Sequence, residues 1–337
     1  MRCLVTGATG FIGLHLVKRL AEAGREVVCL VRRTSRCEEL KRLGVRLVEG
    51  DVASGLGVAE AMAGCGEVYH LAGRVAGRTR DDFLRANRDG VRHVVRASGE
   101  CNSPPVVVLV SSLAAAGPAM DRRPVEPGDE PRPVSYYGES KLAGERAARA
   151  VAERVPVTIV RPPIVFGGGD RASFEWFRSV ARLRLHVMPG LRPRRYSVVH
   201  VDDLVGALAA AAERGKRIVA ADDPARRGIG VYYVAADETP TYGELGDYVA
   251  AGLGIGRFLK LPVPDWMLRV VGIGGDCVSR ATGRPAVLGS DKVREAVAGS
   301  WLCSAAAARR ELGFAAARPL AERFAATAAW YRENRWL

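Results

Sequence analysis

Cys3-Leu4-Val5-Thr6-Gly7-Ala8-Thr9-Gly10-Phe11-Ile12-Gly13 is the stretch whose reading decides the fold. A short apolar run enters three glycines spaced Gly-x-x-Gly-x-x-Gly, and an amphipathic segment, Leu14 to Ala23, follows at once. The pattern predicts a strand, a tight turn and a helix N-terminus. Glycines let backbone approach a pyrophosphate closely, and the free N–H groups of a helix start favour an anion. Gly7, Thr9, Gly10, Phe11, Ile12 and Gly13 are therefore candidate dinucleotide-binding residues.

Beyond this turn the first half alternates between two periods. Strand-like runs fall at Cys3–Thr6, Val27–Val31, Val45–Val48, Val68–Leu71, Val106–Val110 and Val157–Val160, with helical patterns between them at Leu14–Ala23, Asp82–Ser98 and Ser135–Arg154. Strands alternating with helices imply a parallel sheet covered on both faces. After about Gly167 the regularity weakens and helical stretches dominate, with short strands expected near Ser197–Val201 and Gly230–Val234. The expected class is α/β: a Rossmann-type doubly wound parallel sheet over 1–167, with a smaller mixed C-terminal substrate lobe over 168–337. The two interleave, the strand and helix near 197–213 returning to the first domain.

Composition narrows the function. The 337 residues suffice for a large core, and 48% hydrophobic with 26% charged residues is ordinary for a globular protein. No apolar run reaches the roughly 18 residues of a membrane span. Seven cysteines, an odd number without a Cys-x-x-Cys pair, suit a reducing cytoplasm and supply no compact metal cluster. The net charge of +13 comes from dispersed arginines without an aromatic–basic stripe, which argues against nucleic acid. One local excess stands out: Trp176 to Val201 contains six arginines and no acidic residue. It reads as a solvated face, or as a mouth that attracts an anion.

Other positions extend the dinucleotide site. Asp51 and Val52 follow the third strand, where a carboxylate can accept from an adenine amino group. Leu71, Ala72 and Gly73 end the fourth strand beside the cofactor path, and Asn87 lies on the next helix. An acidic residue after the second strand would bond the 2′-hydroxyl of NAD. This chain has Arg32, Arg33 and Arg36 there instead. Guanidinium groups suit a 2′-phosphate, so Arg32 and Arg36 favour NADP over NAD.

Tyr137 and Lys141 stand four apart on a predicted helix and so share a face. A phenol of pKa ~10 needs a shift of roughly 2–3 units to act near neutrality, and an ammonium beside it, helped by an oxidised nicotinamide, is a suitable perturber. Tyr136 points elsewhere and reads as a wall residue. Ser111 and Ser112 end the fifth strand, at the sheet edge where ligands bind.

Taken together these pieces resemble the extended short-chain dehydrogenase/reductases. The resemblance rests on Thr6 to Gly13, Gly50-Asp51-Val52, His70-Leu71-Ala72-Gly73, Asn87, Ser111-Ser112, Tyr137-Gly138-Glu139-Ser140-Lys141, Arg161-Pro162-Pro163 and His200-Val201-Asp202-Asp203. It implies a catalytic triad of Ser112, Tyr137 and Lys141, with Tyr137 exchanging the proton and Lys141 bonding the nicotinamide ribose. Ser112 is preferred over Ser111 because counting back from Gly117 places it at the family's position. It further implies that Pro162 and Ile164 face the nicotinamide, and that a homodimer forms through Asp82–Ser98 and Ser135–Arg154.

Within that family the chain is similar to the 3β-hydroxysteroid dehydrogenase and dihydroflavonol reductase branch. The expectation is an oxidoreductase interconverting a secondary alcohol and a ketone on a fairly apolar small molecule. The alternative is a nucleotide-sugar epimerase or dehydratase with tightly bound NAD. Such enzymes usually carry an arginine where Tyr196 stands, although Arg194 and Arg195 lie close enough to replace it. A non-catalytic dinucleotide binder is the remaining reading, and the presence of Tyr137 and Lys141 speaks against it. Leu261 to Val271 reads as a core helix of the small lobe, or else as a pocket lining for an apolar substrate or a peripheral membrane contact.

Overall fold

The computed structural model describes residues 1–121, 123–220, 224–283 and 288–337. Eleven strands are present among them: β1 Arg2–Thr6, β2 Glu26–Val31, β3 Arg46–Glu49, β4 Glu67–His70, β5 Val106–Val110, β6 Val157–Arg161, β7 Ile164–Phe166, β8 Leu185–Pro189, β9 Val198–His200, β10 Val231–Tyr233 and β11 Leu259–Val263. Seven form one sheet in the order β10-β6-β5-β4-β1-β2-β3, every pair parallel. The chain steps from the edge strand β3 across β1 to β4, so the order reverses beside β1. Ligands of open parallel sheets bind at that reversal, beyond the carboxyl ends of the strands.

The strands read as continuous apolar runs because both faces are covered. Side chains alternate between the faces. Cys3 and Val5 of β1, with Val108 and Val110 of β5, join helices Phe11–Glu22, Val201–Arg214 and Ala306–Leu312. Leu4, Val107 and Leu109 face the opposite way, onto helices Val58–Met62 and Gly90–Glu100. The last sheet strand and two of the covering helices thus come from beyond residue 200. The strand expected to return near residue 197, Val198–His200, instead pairs with β7 outside the seven-stranded sheet, and of that strand and helix only the helix Val201–Arg214 covers the sheet.

A separate aromatic core holds the smaller lobe. Phe166, Phe177 and Phe324 stack in series, with ring centroids 4.3 and 6.1 Å apart. Helices Arg171–Leu183, Tyr242–Gly252 and Leu320–Glu333 close around them. β8 pairs with β11 in a two-stranded ribbon that leads into the helix Asp265–Thr282. The core reading of this last helix is corrected by the structure. Leu268, Gly272 and Ser279 are its buried residues, whereas Trp266, Val270 and Ile273 are exposed. It packs on the helix Ser290–Val297, where a Cβ on Gly272 would stand 2.9 Å from Val293 Cγ2.

Candidate active site

The glycine turn lies at the carboxyl end of β1 and is tight by construction. Gly7 has φ +74°, and a Cβ there would stand 2.6 Å from Ala72 N, on the loop that leaves β4. A Cβ on Gly13 would stand 2.1 Å from Gly7 O. Only glycine permits either approach. The turn closes through Gly10 N–H donating to Gly7 O at 3.0 Å, and Leu14 N–H donates to Gly10 O at 2.9 Å. Phe11, Ile12 and Gly13 precede that first helical bond, no side chain caps Gly10, and no acidic residue occupies the first turn. Their N–H groups remain to meet an anion.

At the end of β4, buried His70 shares a 2.7 Å hydrogen bond through Nδ1 with Thr6 Oγ1, and Ala72 N–H donates to the same oxygen. Burial, with Lys141 nearby, pushes His70 down to about 3, so the ring stays neutral. Asn87 lies in a π-helical turn, Arg85–Asp89, that rotates it inward. Its Oδ1 accepts from Arg74 N–H at 2.8 Å, while its Nδ2 donates to Arg74 O and to Ser140 Oγ. The side chain thereby ties the loop after β4 to the helix Tyr136–Arg149.

That helix carries Tyr137 and Lys141 across the carboxyl ends of β5 and β6. It sits close because Gly138 faces Ala114 O, which a Cβ would approach to 2.3 Å. Lys141 Nζ donates to Val110 O at 3.0 Å, and burial holds its pKa down at about 8. Tyr137 is pushed up to about 12, chiefly by burial. A hydrogen bond with Ser112 opposes the shift, and the charge of Glu295 adds to it. The expected lowering of the phenol by Lys141 is therefore not produced by the protein's own groups.

The two serines differ in what they touch. Ser111 Oγ donates to Glu145 Oε1 at 2.5 Å inside the core, whereas Ser112 caps the Leu113–Ala115 turn and faces Tyr137. Glu145 is one turn beyond Lys141 and fully buried. It receives two bonds from Arg161, at 2.8 and 2.5 Å, and Arg161 also donates to Tyr233 Oη at 2.9 Å. This network joins the ends of β5, β6 and β10 beneath Lys141. Spacing alone could have revealed Glu145, since residues 137, 141 and 145 share one helix face.

A second pair of carboxylates left no such local trace. Asp291 and Glu295, on Ser290–Val297, lie more than 150 residues from the helix-start residues they bind. Asp291 accepts from Tyr136 N–H at 2.6 Å and from Tyr137 N–H at 3.3 Å, and Glu295 accepts from the N-capping Ser135 hydroxyl at 2.7 Å. The helix start that presents Tyr137 is thus held by the smaller lobe.

The remaining expected residues are dispersed. Arg32 and Arg36 are exposed in the turn after β2, and neither has a carboxylate partner among the described residues. Asp51 accepts from Ala53 N–H at 2.9 Å at the end of β3, with Val52 buried beside it. Pro162 O receives Leu113 N–H, and Ile164 pairs with Val198. Arg194 donates to Asp265 at 2.6 Å and to Ala296 O at 2.8 Å. Arg195 is exposed and donates to Thr239 O, whereas Tyr196 is buried against Tyr242.

A nicotinamide dinucleotide fits these features: a cradle that a Cβ would fill, an uncapped helix start and unpaired arginines after β2. The described residues contain no group of three His, Cys, Asp or Glu side chains able to hold a metal.

Comparison with known proteins agrees. A sequence model of the NAD dependent epimerase/dehydratase family matches residues 3–223. The chain is 32% identical over 336 residues to the ceramide reductase of Caulobacter vibrioides, covering 99% of this chain and 95% of that one. It is 26% identical to sterol demethylase protein B of Methylococcus capsulatus, covering 99% of each. Among solved structures, MoeE5 in complex with UDP-glucose and NAD superposes with a TM-score of 0.76 at 27% identity, over 99% of this chain and all of that one.

Proposed function

Since the chain belongs to the NAD-dependent epimerase/dehydratase family, we propose that it is an NADP-preferring oxidoreductase of the extended short-chain type, reducing a ketone on a largely apolar small molecule to a secondary alcohol. The observation that carries the reading is the hydrogen bond between Tyr137 and Ser112, one helical turn from Lys141, whose Nζ donates to Val110 O at the carboxyl end of β5.

The turn from Gly7 to Gly13 would hold the pyrophosphate, Arg32 and Arg36 a 2′-phosphate, and Asp51 the adenine. Lys141 would hold the nicotinamide ribose, with Pro162 and Ile164 beside the nicotinamide. When bound, the dinucleotide supplies the hydride. Ser112 orients the substrate oxygen by its hydroxyl, and Tyr137 gives that oxygen its proton. Burial keeps the Tyr137 phenol protonated at neutral pH, the form that donates to a carbonyl oxygen. The cytoplasm, with its reducing pool, matches seven free cysteines.

An apolar substrate is supported by the engagement of Arg194 with Asp265, which leaves that guanidinium no role in gripping a diphosphate. The full-length likeness to a protein named ceramide reductase points the same way. The nucleotide-sugar reading keeps one support, the likeness to MoeE5 with its bound UDP-glucose. Tyr137→Phe tests the proposal. We expect it to retain NADPH, read by cofactor fluorescence, while ketone-dependent NADPH oxidation falls by about 10²–10⁴-fold. Undiminished oxidation would remove Tyr137 from the chemistry. A wild-type enzyme that interconverts a UDP-sugar without net absorbance change would establish the other branch.

A further inference from the structure

The helix Asp265–Thr282 is amphipathic in the inverted sense. At about 100° per residue, Ile273, Trp266, Val270, Met267, Val278 and Val271 fall on one continuous arc of roughly 160°. All six are exposed, Trp266 at 67% and Val270 at 61%. The opposite seam, Leu268, Gly272 and Ser279, is the one packed on the protein. Leu259, Leu261 and Val187 extend the apolar surface: the first two share a face of β11, and Val187 is the register partner of Leu261. An exposed apolar stripe that continues along a helix marks an interaction surface.

The charges around it select the partner. Arg269 and Arg280 line one border of the arc, and Arg184 and Arg257 flank the ribbon; none has a carboxylate partner among the described residues. The nearby acidic groups are engaged internally. Asp265 holds Arg194, Asp276 accepts Ser290 N–H, and Asp247 holds Lys260. An apolar stripe bordered by free guanidinium groups is complementary to an anionic bilayer surface. We propose that this face seats the protein on a membrane leaflet rich in anionic lipid, the helix lying in the interface plane. No helix among the described residues is long and apolar enough to cross a membrane. The docking is independent of the reaction proposed above.

Flotation with phosphatidylcholine vesicles, and with vesicles of equimolar phosphatidylglycerol and phosphatidylcholine, tests this without turnover. Wild-type protein should float with the anionic vesicles and little with the neutral ones. The double variant Arg269→Ser/Arg280→Ser should partition about 30-fold less, and Val270→Asp/Ile273→Asp more weakly still, each with an unchanged circular dichroism melt. Should the aspartate variant fail to fold, quenching by brominated lipid in wild-type protein decides: the quenched emission should disappear in Trp266→Phe. Failure of wild-type protein to float overturns the proposal, as does equal quenching in Trp266→Phe. So does a wild-type dimer in sedimentation that Val270→Asp/Ile273→Asp dissociates, with no flotation, because the face would then be covered by a second copy.

Discussion

Replacing Glu145 by glutamine separates the ion pair beneath Lys141 without changing its shape. Glu145 and Arg161 are both buried, joined by two bonds, and the carboxylate also accepts from Ser111. Neutralising one partner leaves the Arg161 guanidinium charged in the core, which costs about 3–5 kcal/mol. Since a domain is stable by about 5–15 kcal/mol, the loss is a large fraction of the total. The measurement is guanidinium unfolding followed by far-ultraviolet circular dichroism. Glu145→Leu/Arg161→Met, which removes both charges, should recover most of the loss. The carboxylate also supports the protonated form of Lys141. Its removal should therefore lower the Lys141 pKa further, moving the alkaline limb of the pH–rate profile to lower pH. A glutamine variant within about 1 kcal/mol of wild type would refute the reasoning, and so would a destabilised one whose alkaline limb stays in place.

Arg32→Asp should weaken NADP by at least about tenfold and leave NAD nearly unchanged, as titrated by cofactor fluorescence; parallel losses would dismiss the phosphate assignment. Asp291→Ala exposes the N–H groups of Tyr136 and Tyr137. It should cost about 0.5–2 kcal/mol and reduce kcat more than KM, whereas a pure KM effect would argue against positioning. His70 has a folded pKa of about 3, below the ordinary 6.5 of the unfolded chain. Its contribution is complete above pH 6.5 and is lost as pH falls from there through 3. His70→Asn should flatten the fall in stability over that window, and an unchanged slope would show that other groups govern it.

The architecture was legible where one local rule acted alone. The run before Gly7 is apolar because β1 is covered on both faces; Gly7 meets the backbone after β4, and Gly10 and Gly13 pack on Gly7 itself. Legibility failed where distant segments supply the partner. Asp291 and Glu295 look like ordinary surface carboxylates until the lobe closes on Ser135 and Tyr136. Asn87 is legible as a site position, but its bonds to Arg74 and Ser140 rest on a π-turn that no residue pattern announces. The helix Asp265–Thr282 misled for a different reason: periodicity reports an apolar stripe but not its direction, and here small residues make the packed seam. The pKa of Tyr137 could not be reasoned from Lys141 alone, because burial dominates and Lys141 bonds Val110.

The placement of β10 has a bearing on biosynthesis. As the chain leaves the ribosome, β6 emerges some seventy residues before the strand that shields it. Val157 to Arg161 is buried throughout once β10 has docked. Until then it is an open apolar edge, the kind of template on which nascent chains pair wrongly. Slow translation between residues 161 and 231 should therefore increase aggregation, and a holdase that recognises extended apolar segments should bind the chain most strongly in that interval.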